Sequence, residues 1–210
     1  MNRTKHPFNI VLDLDQTLIS AEATEEHNFN KYKEKAEKFR SDDMDGYYIV
    51  YSRPYLQEFL DYLFKNFNVT IWTAASKDYA LFIIEKIILN GFPERKIDFI
   101  FFSYHCDLSK NIKDYSKELS ILWDTYKLEG YSEKNTIILD DFKNDVHICQ
   151  PNNCVIAKPF EFTSEGSEND TFLKELIPQL DKMKLRISQG DNDLATSVNF
   201  EMKTIKNSNN

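Results

Sequence analysis

The amino-acid sequence predicts an α/β sandwich with a mainly parallel central sheet. Several short apolar runs are continuous rather than alternating, which is typical of strands that are buried on both faces. Amphipathic segments separate these runs, as the helices of βαβ units do. Polar residues directly follow some of the runs, and parallel sheets of this kind carry their chemistry beyond the carboxyl ends of their strands.

The first part of the chain contains two predicted strands and one predicted helix. Residues 8–12 (FNIVL) form an apolar run that predicts the first buried strand. Residues 22–45 are densely charged, which predicts a solvated helix or a mobile insert. Residues 47–52 (YYIVYS) predict the next strand, and Pro54 lies in the first turn of an amphipathic helix. The apolar stripe of this helix comprises Leu56, Phe59, Leu60, Leu63 and Phe64.

The same alternation continues to the end of the predicted domain. The runs that predict strands are 68–73, 97–102, 135–141 and 154–160. The segments that predict helices are 78–89, with Ser76 as its cap, 118–128 and 170–184. We therefore expect one domain over residues 8–185, with an N-terminal tail (1–7) before it and a polar, disordered C-terminal tail (186–210) after it.

The composition excludes several classes of function. The net charge is −8, so there is no overall basic field to hold nucleic acid or an anionic membrane. No apolar stretch approaches the ~20 residues that span a bilayer, and the N-terminus does not resemble a secretory signal. The three cysteines show no CxxC spacing, which is typical of a reduced, intracellular, soluble protein.

Carboxylates at two strand ends point to phosphoryl chemistry. Asp13 and Asp15 follow the first strand, and the adjacent Asp140 and Asp141 follow another. Two adjacent carboxylates repel unless a cation or a lysine lies between them, so the pair predicts either a bound cation such as Mg²⁺ or a lysine partner. Asp13 could then act as nucleophile and metal ligand. Asp15 could act as general acid/base, with its main-chain carbonyl on the metal.

Further polar residues are candidates for binding the phosphate. Thr17 is expected to orient the loop that contains the first two aspartates. Thr73, with the turn that begins at Ala74, could donate hydrogen bonds to a phosphoryl oxygen. Lys113 or Lys110 could pair with the phosphate and with Asp13, keeping that carboxylate ionised.

These stretches resemble the haloacid dehalogenase superfamily, in the form found in the FCP1-homology protein phosphatases, which include NLI-interacting-factor-like and CTD small phosphatase-like proteins. IVLDLDQTLIS resembles motif one, YSRPYLQEFLDYL the Arg-Pro helix start, and VTIWTAASKDYA motif two. NIKDYSKEL resembles the lysine-bearing stretch, and NTIILDDFKNDVHICQPNNCVIAKPF the last motif with the strand after it. The segment ILWDTYKLEGYSEKNTIILDD is most similar to ubiquitin-like-domain-containing CTD phosphatases, although no ubiquitin-like domain precedes it in this sequence.

The resemblance implies a three-layer fold without a large cap domain, and it implies roles for individual residues. Asp13 matches the nucleophile and Asp15 the acid/base. Thr73 matches the phosphate-binding residue of motif two. Lys113 matches the motif-three lysine, by alignment with the Asp-x-Ser that follows it. The last motif contributes Asp141 as a direct Mg²⁺ ligand, with Asp140 beside it as ligand or lysine partner.

The implied activity is that of a Mg²⁺-dependent phosphoserine/phosphothreonine protein phosphatase, acting through an aspartyl-phosphate, with the C-terminal domain (CTD) of RNA polymerase II as a candidate substrate. We expect a nuclear or cytoplasmic monomer whose partner is a phosphorylated protein or peptide, with no direct contact to nucleic acid or membrane. One alternative is a phosphatase for a small phosphorylated metabolite. Another is a catalytically silent peptide-binding scaffold, against which the intact Asp13 and Asp15 count.

Overall fold

The computed structural model of the protein describes residues 6–25 and 29–208. The strands in these ranges are Asn9–Leu12 (β1), Ile19–Ala23 (β2), Ser41–Met44 (β3), Tyr48–Ser52 (β4), Asn68–Trp72 (β5), Ile97–Phe101 (β6), Thr136–Asp140 (β7) and Cys154–Ile156 (β8). Five of these strands form the central sheet in the order β6-β5-β1-β7-β8, and every pairing within it is parallel. The predicted α/β fold with a mainly parallel sheet is confirmed.

The helices cover both faces of this sheet. The described helices are Phe29–Ala36 (α1), Leu56–Asn66 (α2), Lys77–Ile83 (α3), Ser103–Lys113 (α4), Ser120–Asp124 (α5), Phe172–Ser188 (α6) and Thr196–Ser208 (α7). A π-helical turn (Ile84–Ile88) prolongs α3, a second one covers Lys143–His147, and Ser167–Asn169 is a 3₁₀ turn. The side chain of Ser76 accepts a hydrogen bond from the main-chain N–H of Tyr79, as expected of the cap of α3.

Strand β1 illustrates how the continuous apolar runs build two cores. Because side chains alternate across a strand, Ile10 and Leu12 pack with α2, α3, α6 and α7 on one face of the sheet. Val11 points to the other face, where it packs with residues of α4 and α5. Both faces are therefore dry, and the runs show no alternation of polar and apolar residues.

The segment before α2 folds differently from the prediction. Strands β2, β4 and β3 form a separate antiparallel sheet, so residues 47–52 do not join the parallel sheet. Of the charged segment 22–45, which was predicted to be a solvated helix or a mobile insert, the described residues contain helix α1 together with the end of β2 and strand β3. Asp45 and Gly46 both have positive φ and are the central residues of the turn between β3 and β4, in which the main-chain N–H of Tyr47 donates to the carbonyl oxygen of Met44 at 2.9 Å; Asp-Gly favours such a turn.

The C-terminal residues also differ from the prediction, which placed a disordered tail at 186–210. Helix α6 continues to Ser188. The two residues before α7, Leu194 and Ala195, and Val198 within it pack on the main core and are at most 1% exposed. The Asn199 side chain accepts from the main-chain N–H of Ile156 and donates to a carbonyl oxygen of β8, both at 2.8 Å. Helix α7 therefore covers edge strand β8. Within the described residues, no helix is both long and apolar enough to cross a membrane.

Candidate active site

The parallel register brings the ends of the three central strands to one place. Leu12 lies opposite Ile71 of β5 and Leu139 of β7, and the main-chain N–H of Asp13 donates to the carbonyl oxygen of Leu139 at 3.0 Å. The residues that follow these strands line one open cleft of about 390 Å³. The cleft contains six of the predicted site residues, Asp13, Asp15, Thr73, Ala74, Asp140 and Asp141.

Lys117 lies at the centre of the site. Its Nζ is 2.6 Å from Oδ1 of Asp13 and 2.7 Å from Oδ2 of Asp140, and all three side chains are buried. Burial by itself would lower the pKa of Lys117, but Asp13 and Asp140 outweigh this effect and the pKa is raised. Lys117 is therefore a permanent cation between two carboxylates.

The prediction that Lys113 or Lys110 pairs with Asp13 is wrong. Lys113 lies on the last turn of α4, and its Nζ pairs with Asp124 at 3.2 Å. Lys110 lines the mouth of the cleft but is exposed. The sequence contains the pattern Lys-acid-x-Ser twice in succession, from Lys113 and from Lys117, and only the second copy enters the site. This duplication is the signal that the sequence analysis missed.

Gln150 fixes the main chain around Lys117. Its Nε2 donates to the carbonyl oxygen of Lys117 at 2.8 Å, and its Oε1 accepts from the N–H of Leu119 at 2.8 Å. Gln150 is itself buried. The lysine therefore enters the site from a main-chain segment held on both sides by one amide.

The pKa of Asp13 is well above the usual value for an aspartate. Burial raises the pKa of Asp13 to about 7, with Lys117 opposing the rise and Asp140 adding to it. Asp15 is half-buried, and burial likewise raises its pKa, although a hydrogen bond from the Tyr79 hydroxyl at 2.5 Å opposes the rise. Both carboxyl groups can therefore hold a proton at a higher pH than an exposed aspartate does.

Three carboxylates could hold a metal ion. Oxygen atoms of Asp13, Asp140 and Asp141 all lie within 4.8 Å of one another. Burial and the neighbouring Asp140 raise the pKa of Asp141, and Lys117 is a single positive charge beside three acids, so their negative charge is only partly compensated. Oxygen donors crowded in this way fit a hard divalent cation such as Mg²⁺.

Asp140 and Asp141 have different surroundings. One oxygen of Asp140 accepts from Lys117 and the other from the main-chain N–H of Phe142 at 2.8 Å. Asp141 is half-buried, and its Oδ1 accepts a long hydrogen bond of 3.4 Å from the hydroxyl of Thr17. Of the two alternatives for Asp140, this arrangement favours the lysine partner, whereas Asp141 remains open toward the cleft.

Thr73 has a hydroxyl hydrogen available for a ligand. Its Oγ1 accepts from the main-chain N–H of Ala75 at 3.0 Å, so the hydroxyl hydrogen can point into the cleft. The main-chain N–H of Thr73 is used by the carbonyl oxygen of Phe101, at 3.0 Å. At this strand end, a main-chain donor to a phosphoryl oxygen would therefore come from the turn that begins at Ala74.

Arg53 supports the motif-one loop from below, and the sequence analysis gave it no such role. Its guanidinium makes two hydrogen bonds of 3.0 Å to the carboxylate of Asp170 and one of 2.9 Å to the carbonyl oxygen of Thr17. It also stacks on the Phe172 ring, 4.5 Å from the ring centroid. A buried bidentate pair of this kind orients its partners strongly, so Arg53 fixes the loop that ends at Thr17.

The family follows from comparison with known proteins. Residues 8–192 match the family model described as NLI interacting factor-like phosphatase. The chain belongs to this family. It is therefore a phosphatase, as the resemblance to FCP1-homology proteins predicts.

Relatives of this NLI interacting factor-like phosphatase include a viral protein and an animal protein. The chain is 48% identical over 178 residues to the CTD phosphatase-like protein 355R of invertebrate iridescent virus 6, covering 83% of this chain and 97% of the viral one. It is 29% identical over 133 residues to the ubiquitin-like domain-containing CTD phosphatase 1 of Danio rerio. That match covers 61% of this chain but only 41% of the Danio protein.

A solved structure shares the fold of this NLI interacting factor-like phosphatase. The RNA polymerase II CTD phosphatase Fcp1-R271A of fission yeast, bound to beryllium fluoride, matches with a TM-score of 0.52 and 18% sequence identity. The match covers 95% of this chain and 62% of the yeast chain. At this identity the likeness concerns the fold alone.

Proposed function

We propose that this protein is a Mg²⁺-dependent phosphoserine/phosphothreonine protein phosphatase that transfers the phosphoryl group to Asp13. The observation that carries the proposal is the position of Lys117, which neutralises Asp13 and Asp140 beside the open carboxylate of Asp141. A buried ammonium between two carboxylates lets Asp13 remain ionised as a nucleophile despite its burial.

The metal would be held by Asp13, by Asp141 and by the main-chain carbonyl of Asp15. Bound there, Mg²⁺ would neutralise phosphoryl oxygens and orient the phosphorus atom toward Asp13. Asp140 would act through Lys117 instead, because both of its oxygens already accept hydrogen bonds from the protein.

In the first step, a carboxylate oxygen of Asp13 attacks phosphorus and the bond from phosphorus to the seryl or threonyl oxygen breaks. Asp15 gives its proton to the departing oxygen, which leaves as a neutral hydroxyl. The raised pKa of Asp15 supports this role, because the proton must be present at the start. Thr73 and Lys117 would donate hydrogen bonds to the phosphoryl oxygens during transfer.

In the second step, water replaces Asp13 on phosphorus. Asp15, now ionised, accepts the proton of the attacking water, the acyl phosphate bond breaks, and Asp13 is restored as a carboxylate. Inorganic phosphate leaves and Asp15 is again protonated. One carboxyl group thus serves both steps, which requires that it hold and release a proton near neutral pH.

The openness of the cleft supports a protein or peptide as the substrate. A cleft of about 390 Å³ that opens to solvent can accept a phosphorylated side chain projecting from an extended peptide. The relatives named as CTD phosphatases support a phosphorylated protein as substrate, with the RNA polymerase II CTD as the first candidate.

Three assays test the proposal. Hydrolysis of para-nitrophenyl phosphate should require Mg²⁺, stop in EDTA and disappear in Asp13→Asn; equal rates for the wild type and this variant would remove the enzyme mechanism. Beryllium fluoride with Mg²⁺ should then bind covalently at Asp13. A set of singly phosphorylated serine and threonine peptides, with phosphorylated sugars for comparison, should separate a protein phosphatase from a metabolite phosphatase.

A further inference from the structure

A second cavity lies beside the catalytic cleft. It has a volume of about 500 Å³ and is bounded by the residues after β8, the start of α6 and one face of α7. Apolar side chains line its floor, among them Ile156, Pro159, Phe172 and Met202. We call it the lysine cleft, because Lys143, Lys158 and Lys203 lie on its border.

The lysine cleft is positively charged within an acidic protein. The three lysines are exposed, and none of them forms an ion pair with a carboxylate among residues 6–25 and 29–208. Two acids also line the cavity. Asp170 is neutralised by Arg53, which leaves Glu175 against three lysines and a formal charge of +2.

Lys143 and Lys203 both shift the pKa of His147, although the two lysines come from different elements. Burial lowers the pKa of His147, and Lys143 and Lys203 lower it further. Lys203 lies one helical turn beyond Asn199, the residue that attaches α7 to β8. Helix α7 therefore places Lys203 near Lys143, and the unpaired positive charge is a product of the fold.

The lysine cleft and the catalytic cleft share a boundary. Lys143 follows Asp141 by two residues, so their Cα atoms are at most about 7 Å apart. Ala157, Lys158 and Pro159 line the lysine cleft. The main-chain N–H of Ala157 donates to the carbonyl oxygen of Asp140 at 2.9 Å, and that of the next residue, Phe160, to the carbonyl oxygen of Gln16 at 2.7 Å. Asp140 and Gln16 both line the catalytic cleft. One extended peptide can therefore reach both cavities.

We propose that the lysine cleft binds a second phosphorylated residue of the same peptide whose first phosphate is removed at Asp13. A phosphoserine carries a charge of about −1.5 to −2, which complements a site of +2 better than a single carboxylate does. The apolar floor accommodates the uncharged residue next to that phosphoserine. This inference rests on the proposed function.

The test compares peptides that carry one phosphoserine with peptides that carry two, separated by one to eight residues. For the wild type we expect kcat/KM to be about tenfold higher for the doubly phosphorylated peptide at one or two of these spacings. In Lys158→Gln/Lys203→Gln the ratio should fall toward one. Lys182→Gln removes an equally exposed lysine from α6, outside the cavity, and should leave the ratio unchanged.

Three outcomes would overturn the inference. One is a ratio near one at every spacing, and another is a raised ratio that persists in the double variant. A peptide with glutamate in place of the second phosphoserine provides a third. If it raised kcat/KM as much as the doubly phosphorylated peptide does, the cleft would not select phosphate, and the inference would also be overturned.

A binding measurement separates failure of this inference from failure of the proposed function. Asp13→Asn is titrated into fluorescent peptides, and the doubly phosphorylated peptide should bind more tightly, with the gain lost when Lys158 and Lys203 are changed to glutamine. This holds even if no peptide is hydrolysed. Absence of peptide hydrolysis by the wild type would contradict the proposed function alone, whereas equal binding of both peptides would contradict the second site.

Discussion

The Gln150 amide donates to the main-chain carbonyl oxygen of Lys117 at 2.8 Å while it accepts from the N–H of Leu119 at the same distance. The bridge matters because Lys117 follows α4 in an irregular segment and no helix or strand holds its backbone. Gln150 therefore helps to set where the ammonium lies between Asp13 and Asp140, together with Asp145 and Ser109, which accept from the main-chain N–H groups of Ser116 and Glu118.

Gln150→Ala is expected to lower kcat by about tenfold, because a lysine that shifts by a fraction of an ångström no longer bridges both carboxylates. Asn153→Ala provides the matched control. Asn153 is equally buried and donates to carbonyl oxygens at the opposite end of β7, so it should cost stability without lowering kcat. Steady-state kinetics and thermal unfolding of both variants check this, and equal kcat values would show that Gln150 has no positioning role.

Lys117→Met should lower kcat/KM by roughly 10²- to 10³-fold, because it removes the buried positive charge beside the nucleophile. Lys113→Met changes the same residue type four positions earlier but removes only a surface pair with Asp124, so activity should stay within about twofold. Assays of both variants with para-nitrophenyl phosphate decide between the two lysines. A large loss in Lys113→Met, with none in Lys117→Met, would reverse the assignment.

Tyr79→Phe removes the hydroxyl that donates to Asp15 at 2.5 Å. That hydrogen bond lowers the pKa of Asp15 against the effect of burial, so its loss should raise the pKa further. The limb of the pH–rate profile that reports Asp15 should move to higher pH, and kcat should fall at neutral pH because less of the base form is present for the second step. Tyr48→Phe is the control, since the Tyr48 ring packs edge-on against Tyr79 and Tyr48 is not among the groups that shift the pKa of Asp15. An unmoved profile in Tyr79→Phe would contradict this role.

Binding of Mg²⁺ should weaken as pH falls through neutrality. Burial raises the pKa of Asp13 to about 7, and a protonated carboxyl group is a poor ligand, so protons and metal compete. The affinity for Mg²⁺ should be close to its maximum at pH 8 and about tenfold weaker at pH 6, as expected for competition by one proton. Calorimetric titration of Mg²⁺ at both pH values measures this. An affinity independent of pH would exclude a metal contact by Asp13.

Matched titrations identify the residue responsible for the effect. Asp13→Asn should bind Mg²⁺ weakly at both pH values and lose most of the pH dependence. A pH dependence that survives in full would assign the proton to another group, of which Asp141 is the first candidate because burial also raises its pKa.

The amino-acid sequence by itself determined the parallel sheet and most of the acidic site. Continuous apolar runs indicate strands buried on both faces, and the residues after such strands must meet at one edge of the sheet. Asp13, Asp15, Thr73, Asp140 and Asp141 were therefore predictable together. The hairpin at Asp45-Gly46 could also have been predicted, because Asp-Gly favours the positive φ angles that both residues adopt. It was missed because the surrounding segment is densely charged.

Only the tertiary structure decided the identity of the lysine, the role of Gln150 and the place of α7. Lys113 and Lys117 lie in nearly identical local sequences, and what separates them is the end of α4, which directs one side chain to the surface and the next into the core. Helix α7 is polar on average, and it is ordered because a few small apolar residues and Asn199 fit the uncovered edge of β8. Such a fit depends on contacts between residues that are distant in the sequence, and local patterns do not contain that information.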